Sequence, residues 1–170
     1  HPCSMPFSCW ACADHVLTKW TIGIPLRFWA KDTLFDVPLF GRWLRWLGGI
    51  PIERHSPRGA VGSMVHTLRE AVADDRIFWL GLSPEGTRSH TRGWRSGFYQ
   101  VALGANVPLA LVALDYSRRE VRVTDFLRLG GDPAADYARI AAVLGDARGF
   151  HPDQASPVQP LPKPLPADTV

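Results

Sequence analysis

The sequence predicts an α/β protein, with a mixed, largely parallel sheet covered by helices. Two observations carry this reading. Segments of helical periodicity alternate with short apolar runs along most of the chain. Two of those runs, Ile77 to Leu82 and Val107 to Leu114, are apolar almost without interruption, as strands covered on both faces are.

Each element has its own signal. Phe35 to Leu47, FDVPLFGRWLRWL, sets Leu39, Phe40, Trp43, Leu44, Trp46 and Leu47 on one face at helical spacing, with Arg42 and Arg45 opposite. Gly48 and Gly49 stop that helix, and IPIER after them reads as a short strand. Ala60 to Asp74 is a second amphipathic helix, its apolar face made by Val61, Met64, Val65, Leu68 and Val72. Gly97 to Gly104 begins a third helix, ahead of the apolar strand at Val107. EVRVTD, Glu120 to Asp125, alternates as an exposed edge strand does, and Pro133 to Leu144 closes with a helix.

From Gly149 onward the chain is dense in proline and poor in large apolar side chains. Proline neither donates to a ladder nor propagates a helix, so the reading is an α/β domain over residues 1–148 and a proline-rich disordered tail over 149–170. The 170 residues suffice for one domain with a proper core, and 46% apolar with 21% charged is ordinary for a globular protein. A formal net charge of +3 favours a negatively charged partner without choosing among nucleic acid, an anionic membrane surface and a phosphorylated substrate.

Cys3, Cys9 and Cys12 are an odd set crowded at the start, a poor disulfide framework that points to a reducing compartment. Cys9-Trp-Ala-Cys12 lacks a second pair to complete a zinc site, so no metal is expected. No apolar run reaches the roughly 20 residues of a membrane-spanning helix. The chain opens without an initiator methionine, so the N-terminal part of the domain is expected to be incomplete, and a membrane segment upstream could be missing.

The chemistry concentrates where two strands end. The IPIER strand delivers Glu53 and Arg54, and the Ile77 strand runs into LSPEGTRS, which carries Glu85, Gly86, Thr87 and Arg88. In α/β sheets, ligands sit beyond the carboxyl ends of the strands. A turn on Gly86 lets backbone N–H groups approach an oxyanion, and the Thr87 hydroxyl adds a donor. Arg54 and Arg88 supply planar forks suited to phosphate oxygens. Glu85 would repel a phosphate, so its expected work is to fix an arginine. The alternative is a solvated loop with local salt bridges.

These motifs resemble the glycerolipid acyltransferases, a family that includes lysophosphatidic acid acyltransferase. RFWAKDTLFDVPLFGRWLRWLGGIPIER is similar to the family's second block, whose final arginine corresponds to Arg54. LSPEGTRS resembles the third block, which contacts the acceptor's phosphate, and WRSGFYQVALGANVPLALVALDY resembles the continuation, with the fourth block at Val107-Pro108. The resemblance runs from about Trp20 to Asp115. It implies an α/β domain, peripheral at the cytoplasmic face of a membrane, in bacterial lipid metabolism. Its reaction would move a fatty acyl group from a thioester, coenzyme A or acyl carrier protein, to a hydroxyl of a lysophospholipid-type acceptor, with no other cofactor. The acceptor site it implies coincides with the pocket read from Arg54 and Glu85 to Arg88.

The family's catalytic block has the form His-x-x-x-x-Asp, a general base with the carboxylate that orients it. It is not intact here. His1 has Pro6 in the aspartate position, and Asp14-His15 has both residue types adjacent and reversed. Adjacent residues point away from each other and cannot form the dyad. His66 and His90 read as exposed histidines, which leaves His1 as the candidate base. Two explanations stand: a decayed catalytic block that leaves a lipid-phosphate binder, or a first stretch that is not native. A single-base shift before about Leu17 would produce the latter, because the shifted codons allow a family-like first block.

The Arg42–Arg45–Trp43–Trp46 helix, with Trp20, Phe28 and Trp29 nearby, has the aromatic and basic make-up of an interfacial segment; the alternative is a core-facing helix with solvated arginines. A nucleic-acid binder would use similar residues but needs a basic stripe over several elements. The positive residues here gather at two strand ends, so a membrane surface rather than nucleic acid is the expected partner.

Overall fold

The computed structural model describes residues 26–52, 57–87 and 90–162. Its contacts divide the chain into two compact units, His1–Leu82 and Ser83–Val170.

The first unit runs β1 (Leu26–Lys31), a 3-10 turn (Asp32–Leu34), α1 (Phe40–Leu47), β2 (Gly49–Ile52), α2 (Pro57–Ala73) and β3 (Trp79–Gly81). The strand order is β2-β1-β3 with both pairings parallel, but the apolar run from Ile77 to Leu82 yields only the three half-buried residues of β3, and Ile77 is exposed rather than buried. β1 sets Phe28 opposite Gly49 on one side and Gly81 on the other. This central strand had no place among the predicted elements, because Arg27 and Lys31 in LRFWAK hide its short apolar pattern. Phe28, read as part of an interfacial cluster, is buried instead and packs with Phe35, Leu44 and Leu47 in the unit's core. Each such burial contributes about 1.5–3 kcal/mol.

α1 occupies the later part of the predicted Phe35–Leu47 span, starting only at Phe40, after Pro38, and one face of the prediction divides into two. Gly41, Leu44 and Leu47 are buried, whereas Leu39, Trp43 and Trp46 are 79%, 43% and 65% exposed. At 100° per residue the latter three make a stripe of their own, turned from the core and bordering Arg42. Gly48 ends the helix in the left-handed conformation, its N–H returning to the carbonyls of Leu44 and Arg45. α2 buries Met64, Leu68 and Ala71. Val72, expected on that face, is exposed, since the turn reaches the core through Ala71 instead.

The second unit holds α3 (Gly97–Ala105), β4 (Leu109–Asp115), β5 (Glu120–Leu127), α4 (Pro133–Leu144) and a 3-10 turn (Pro152–Gln154). Its sheet corrects the largely parallel prediction: β4 and β5 form a separate antiparallel pair, Leu109 facing Leu127 and Asp115 facing Glu120. Only the turn at Tyr116 to Arg119 separates them, too short for the crossover a parallel pair requires. β4 is also covered on one face rather than two, with Leu111 and Ala113 buried and Val112 exposed. Trp94, Phe98, Tyr99 and Tyr137 pack their rings with centroids 5.7–6.5 Å apart.

Two buried carboxylates tie this unit together. Asp136 accepts the N–H groups of Gly130 and Gly131 and the Tyr99 hydroxyl at 3.0 Å. Burial raises the Asp136 carboxyl, but these bonds outweigh it and hold the group below the usual carboxylate range. Burial, aided by that bond, pushes Tyr99 up to about 12, so it remains a donor at neutral pH. Asp115 receives the Ser117 hydroxyl at 2.5 Å and Arg118 Nη1 at 2.7 Å, which keep it ionised.

Of the proline-rich segment the structure describes residues 149–162, where Trp94 pairs with Pro160 as an isolated parallel bridge. Proline bars a helix or a full ladder, but the carbonyls still accept and the intervening residues still donate.

Candidate functional site

β2 and β3 run parallel on either side of β1, so both present their carboxyl ends at the same edge of the sheet. The chain leaving β3 enters the second unit as Ser83 to Thr87, the described part of the predicted pocket. His1, Arg54 and Arg88 lie outside the described residues, as do Cys3, Cys9 and Cys12.

The loop is built on a tight turn. Gly86 takes a φ of 64°, its N–H facing the Ser83 carbonyl at 3.3 Å, and Arg95 N–H donates to Pro84 O at 2.9 Å. That last bond brings the returning chain across the turn. The left-handed conformation favours glycine, and a Cβ on Gly86 would lie 2.6 Å from Arg95 Cδ and 2.8 Å from Nε, so it would displace the Arg95 side chain. Arg95 was absent from the predicted site. The signal in the sequence was only an arginine nine residues after a glycine, and the contact depends on the return of the loop.

Arg92 and Arg95 are exposed, and neither pairs with a carboxylate among the described residues. Glu85, expected to fix an arginine, directs Oε1 to the N–H of Ser156 at 3.0 Å. Arg95 therefore brings positive charge to the glycine backbone of a turn that itself carries Glu85, with Thr87 half-buried next to it. Chemically, the arrangement suits an oxyanion, through guanidinium forks and backbone dipoles.

The remaining histidine expectations fit their surroundings. His66 is exposed on α2, its Nδ1 3.4 Å from Glu70 Oε2, and His90 is exposed in the loop. A separate open concavity of about 390 Å³ beside β5 is lined by Arg122, Val123, Thr124, Phe126, Leu127 and Val143, and takes in no residue of the loop.

Comparison with known proteins agrees with the motifs. Residues 10–115, well over half the chain, match the family model described as Acyltransferase. A chloroplastic 1-acyl-sn-glycerol-3-phosphate acyltransferase of Brassica napus is 24% identical over 102 residues, 58% of this chain and 29% of that protein. Another chloroplastic 1-acyl-sn-glycerol-3-phosphate acyltransferase, of Arabidopsis thaliana, is also 24% identical, over 58% of this chain and 28% of its own length. The chain thus spans less than a third of the length of these curated relatives. No solved structure matches it. With its block order, parallel β2-β1-β3 sheet and Glu85-Gly86-Thr87 turn, the chain belongs to the glycerolipid acyltransferase family.

Proposed function

We propose that the chain serves in transfer of a fatty acyl group from an acyl thioester to a hydroxyl of a phosphorylated glycerolipid. The observation that carries this is the Gly86 turn with the Arg95 side chain laid across it, a guanidinium that pairs with no carboxylate among the described residues. Thr87 and Arg88 follow it directly in the sequence, and Arg54 follows β2. In this reading Arg54, Gly86, Thr87, Arg88 and Arg95 hold the acceptor's phosphate, and Glu85 shapes the loop that presents them. His1 is the proposed base. Coenzyme A and acyl carrier protein are both donors of the required chemistry, and no further cofactor enters.

The lipid acceptor resides at a bilayer, and the exposed Leu39–Trp43–Trp46 stripe supports a peripheral membrane face. No helix among the described residues is long and apolar enough to cross a membrane.

A second reading has its own support. None of the six histidines is followed by aspartate five residues on, so the chain as given holds no complete His-x-x-x-x-Asp block. A lipid-phosphate-binding module that does not transfer fits that fact.

One experiment separates the two. Purified chain is mixed with labelled oleoyl coenzyme A and vesicles containing lysophosphatidate, and phosphatidate formation and vesicle binding are followed together. Phosphatidate formation, lost on His1→Ala, supports transfer with His1 as base. Binding without product supports the module. Neither binding nor product defeats both.

A further inference from the structure

The residue that ties the acceptor loop together lies far from it in sequence. Ser156 is 8% exposed, one of few buried polar residues among those described. Its N–H donates to Glu85 Oε1 at 3.0 Å, and its Oγ accepts the N–H of Thr91 at 3.0 Å. The two hydroxyls, Thr91 Oγ1 and Ser156 Oγ, are 3.0 Å apart. Glu85 and Thr91 bracket the Gly86-to-His90 span of the loop, so one serine holds both of its ends.

The neighbouring strap completes the clamp. Trp94 N–H donates to Gln159 O at 2.7 Å, and Leu161 N–H donates to Trp94 O at 2.8 Å. Gln159 Nε2 donates to Arg92 O at 2.8 Å. The backbones press close here, and a Cβ on Gly93 would lie 2.6 Å from Gln159 O. Trp94 in turn packs against Phe98 and Tyr137, which joins the clamp to the unit's core. Arg95, the guanidinium over Gly86, is the next residue in the chain.

We infer that Ser156 is a positioning residue for acceptor binding, and that the segment from Ser156 to Leu161 is part of the acceptor site's frame. This rests on the reading of the Glu85–Arg95 loop as the phosphate-binding loop. The physical reason is the cost of disorder. A loop loses conformational freedom when it binds a phosphate, and a loop already fixed at both ends loses less. Glu85 acts as an anchor in this scheme, which gives an acidic residue a place beside an anion site without repelling the anion directly. It also gives the prolines a function, since they stiffen the strap in the unbound chain.

The test uses the full chain and two readouts. Amide hydrogen exchange of the 84–95 peptide reports loop order. Titration with monomeric hexanoyl lysophosphatidate, and separately with octanoyl coenzyme A, reports the two substrates. Ser156→Ala removes the acceptor of Thr91 N–H and is expected to speed exchange in that peptide and weaken lysophosphatidate binding about tenfold. Octanoyl coenzyme A affinity and exchange in α4 are expected to stay unchanged, which a general loss of folding would not allow. Thr91→Val breaks the same hydroxyl pair from the other side, along with the bond from Thr91 Oγ1 to Gly93 O at 2.8 Å, so its effect should overlap in part with that of Ser156→Ala in the double variant. Thr91→Ser keeps the hydroxyl and is expected to restore the loop. Unchanged exchange at 84–95 in Ser156→Ala overturns the positioning role. Equal losses for both substrates overturn it as well. Faster exchange in the variant, combined with no lysophosphatidate binding by the unaltered chain, overturns the pocket and leaves the clamp as a structural device only.

Discussion

Gly86 shows how one residue decides the candidate site. Its φ of 64° strains any residue with a Cβ, and that Cβ would lie 2.6 Å from the flexible Arg95 side chain, which would have to move. Gly86→Ala should cost about 1–2 kcal/mol in backbone strain and push Arg95 away. The expected result is a lower melting temperature together with weaker lysophosphatidate binding; unchanged binding would remove the turn from the site. The sequence displayed Glu85, Gly86 and Thr87 as a motif, because adjacent residues are legible in a string. It could not display Arg95 or Ser156, whose places depend on a loop return and on a contact 71 residues apart in sequence.

At the scale of elements, periodicity located the helices well and misjudged what they face. Pro133–Leu144 matches its predicted span, and Asp132 caps it by accepting Ala134 N–H at 3.0 Å. α1 was also found, but amphipathicity alone could not tell a core stripe from an exposed one when both are apolar. The exposed stripe leads to a prediction. Trp43→Ala and Trp46→Ala should each weaken sedimentation with anionic vesicles about tenfold, since an interfacial indole contributes on the order of 1.5 kcal/mol. Their effect on melting should be small, because neither belongs to the Phe28–Leu44 core. Retained vesicle binding in the double variant would contradict a membrane role for α1. β1 was missed for a related reason: a central strand in a parallel sheet needs apolar length, and Leu26–Lys31 has basic residues at its second and last positions.

Over the whole molecule, α/β character and family were readable from the order of the blocks, while the split into a parallel sheet and an antiparallel hairpin was not. Sheet pairing depends on connection length and partner availability, and a solid apolar run such as Val107 to Leu114 is silent on both. The buried carboxylates set the acid response. Asp136 has a folded value below its unfolded one near 3.9, so its contribution is full above about pH 4–5 and is lost as pH falls through the folded value. Asp115 adds in the same direction. Melting temperature should therefore fall steeply in acid, and the gap between the unaltered chain and Asp136→Asn should narrow from pH 7 toward pH 3. A constant gap would mean that the bonds from Gly130, Gly131 and Tyr99 do not depend on the charge of Asp136.

The central claim is that the loop after β3 holds the phosphate of a lipid acceptor. The most direct measurement compares Arg88→Ala with the unaltered chain in titrations against monomeric lysophosphatidate and against acyl coenzyme A. Loss of a charged bond to phosphate, about 1.5–3 kcal/mol, predicts roughly a ten- to hundredfold weaker acceptor and an unchanged donor. Equal acceptor affinity in the two proteins would contradict the assignment.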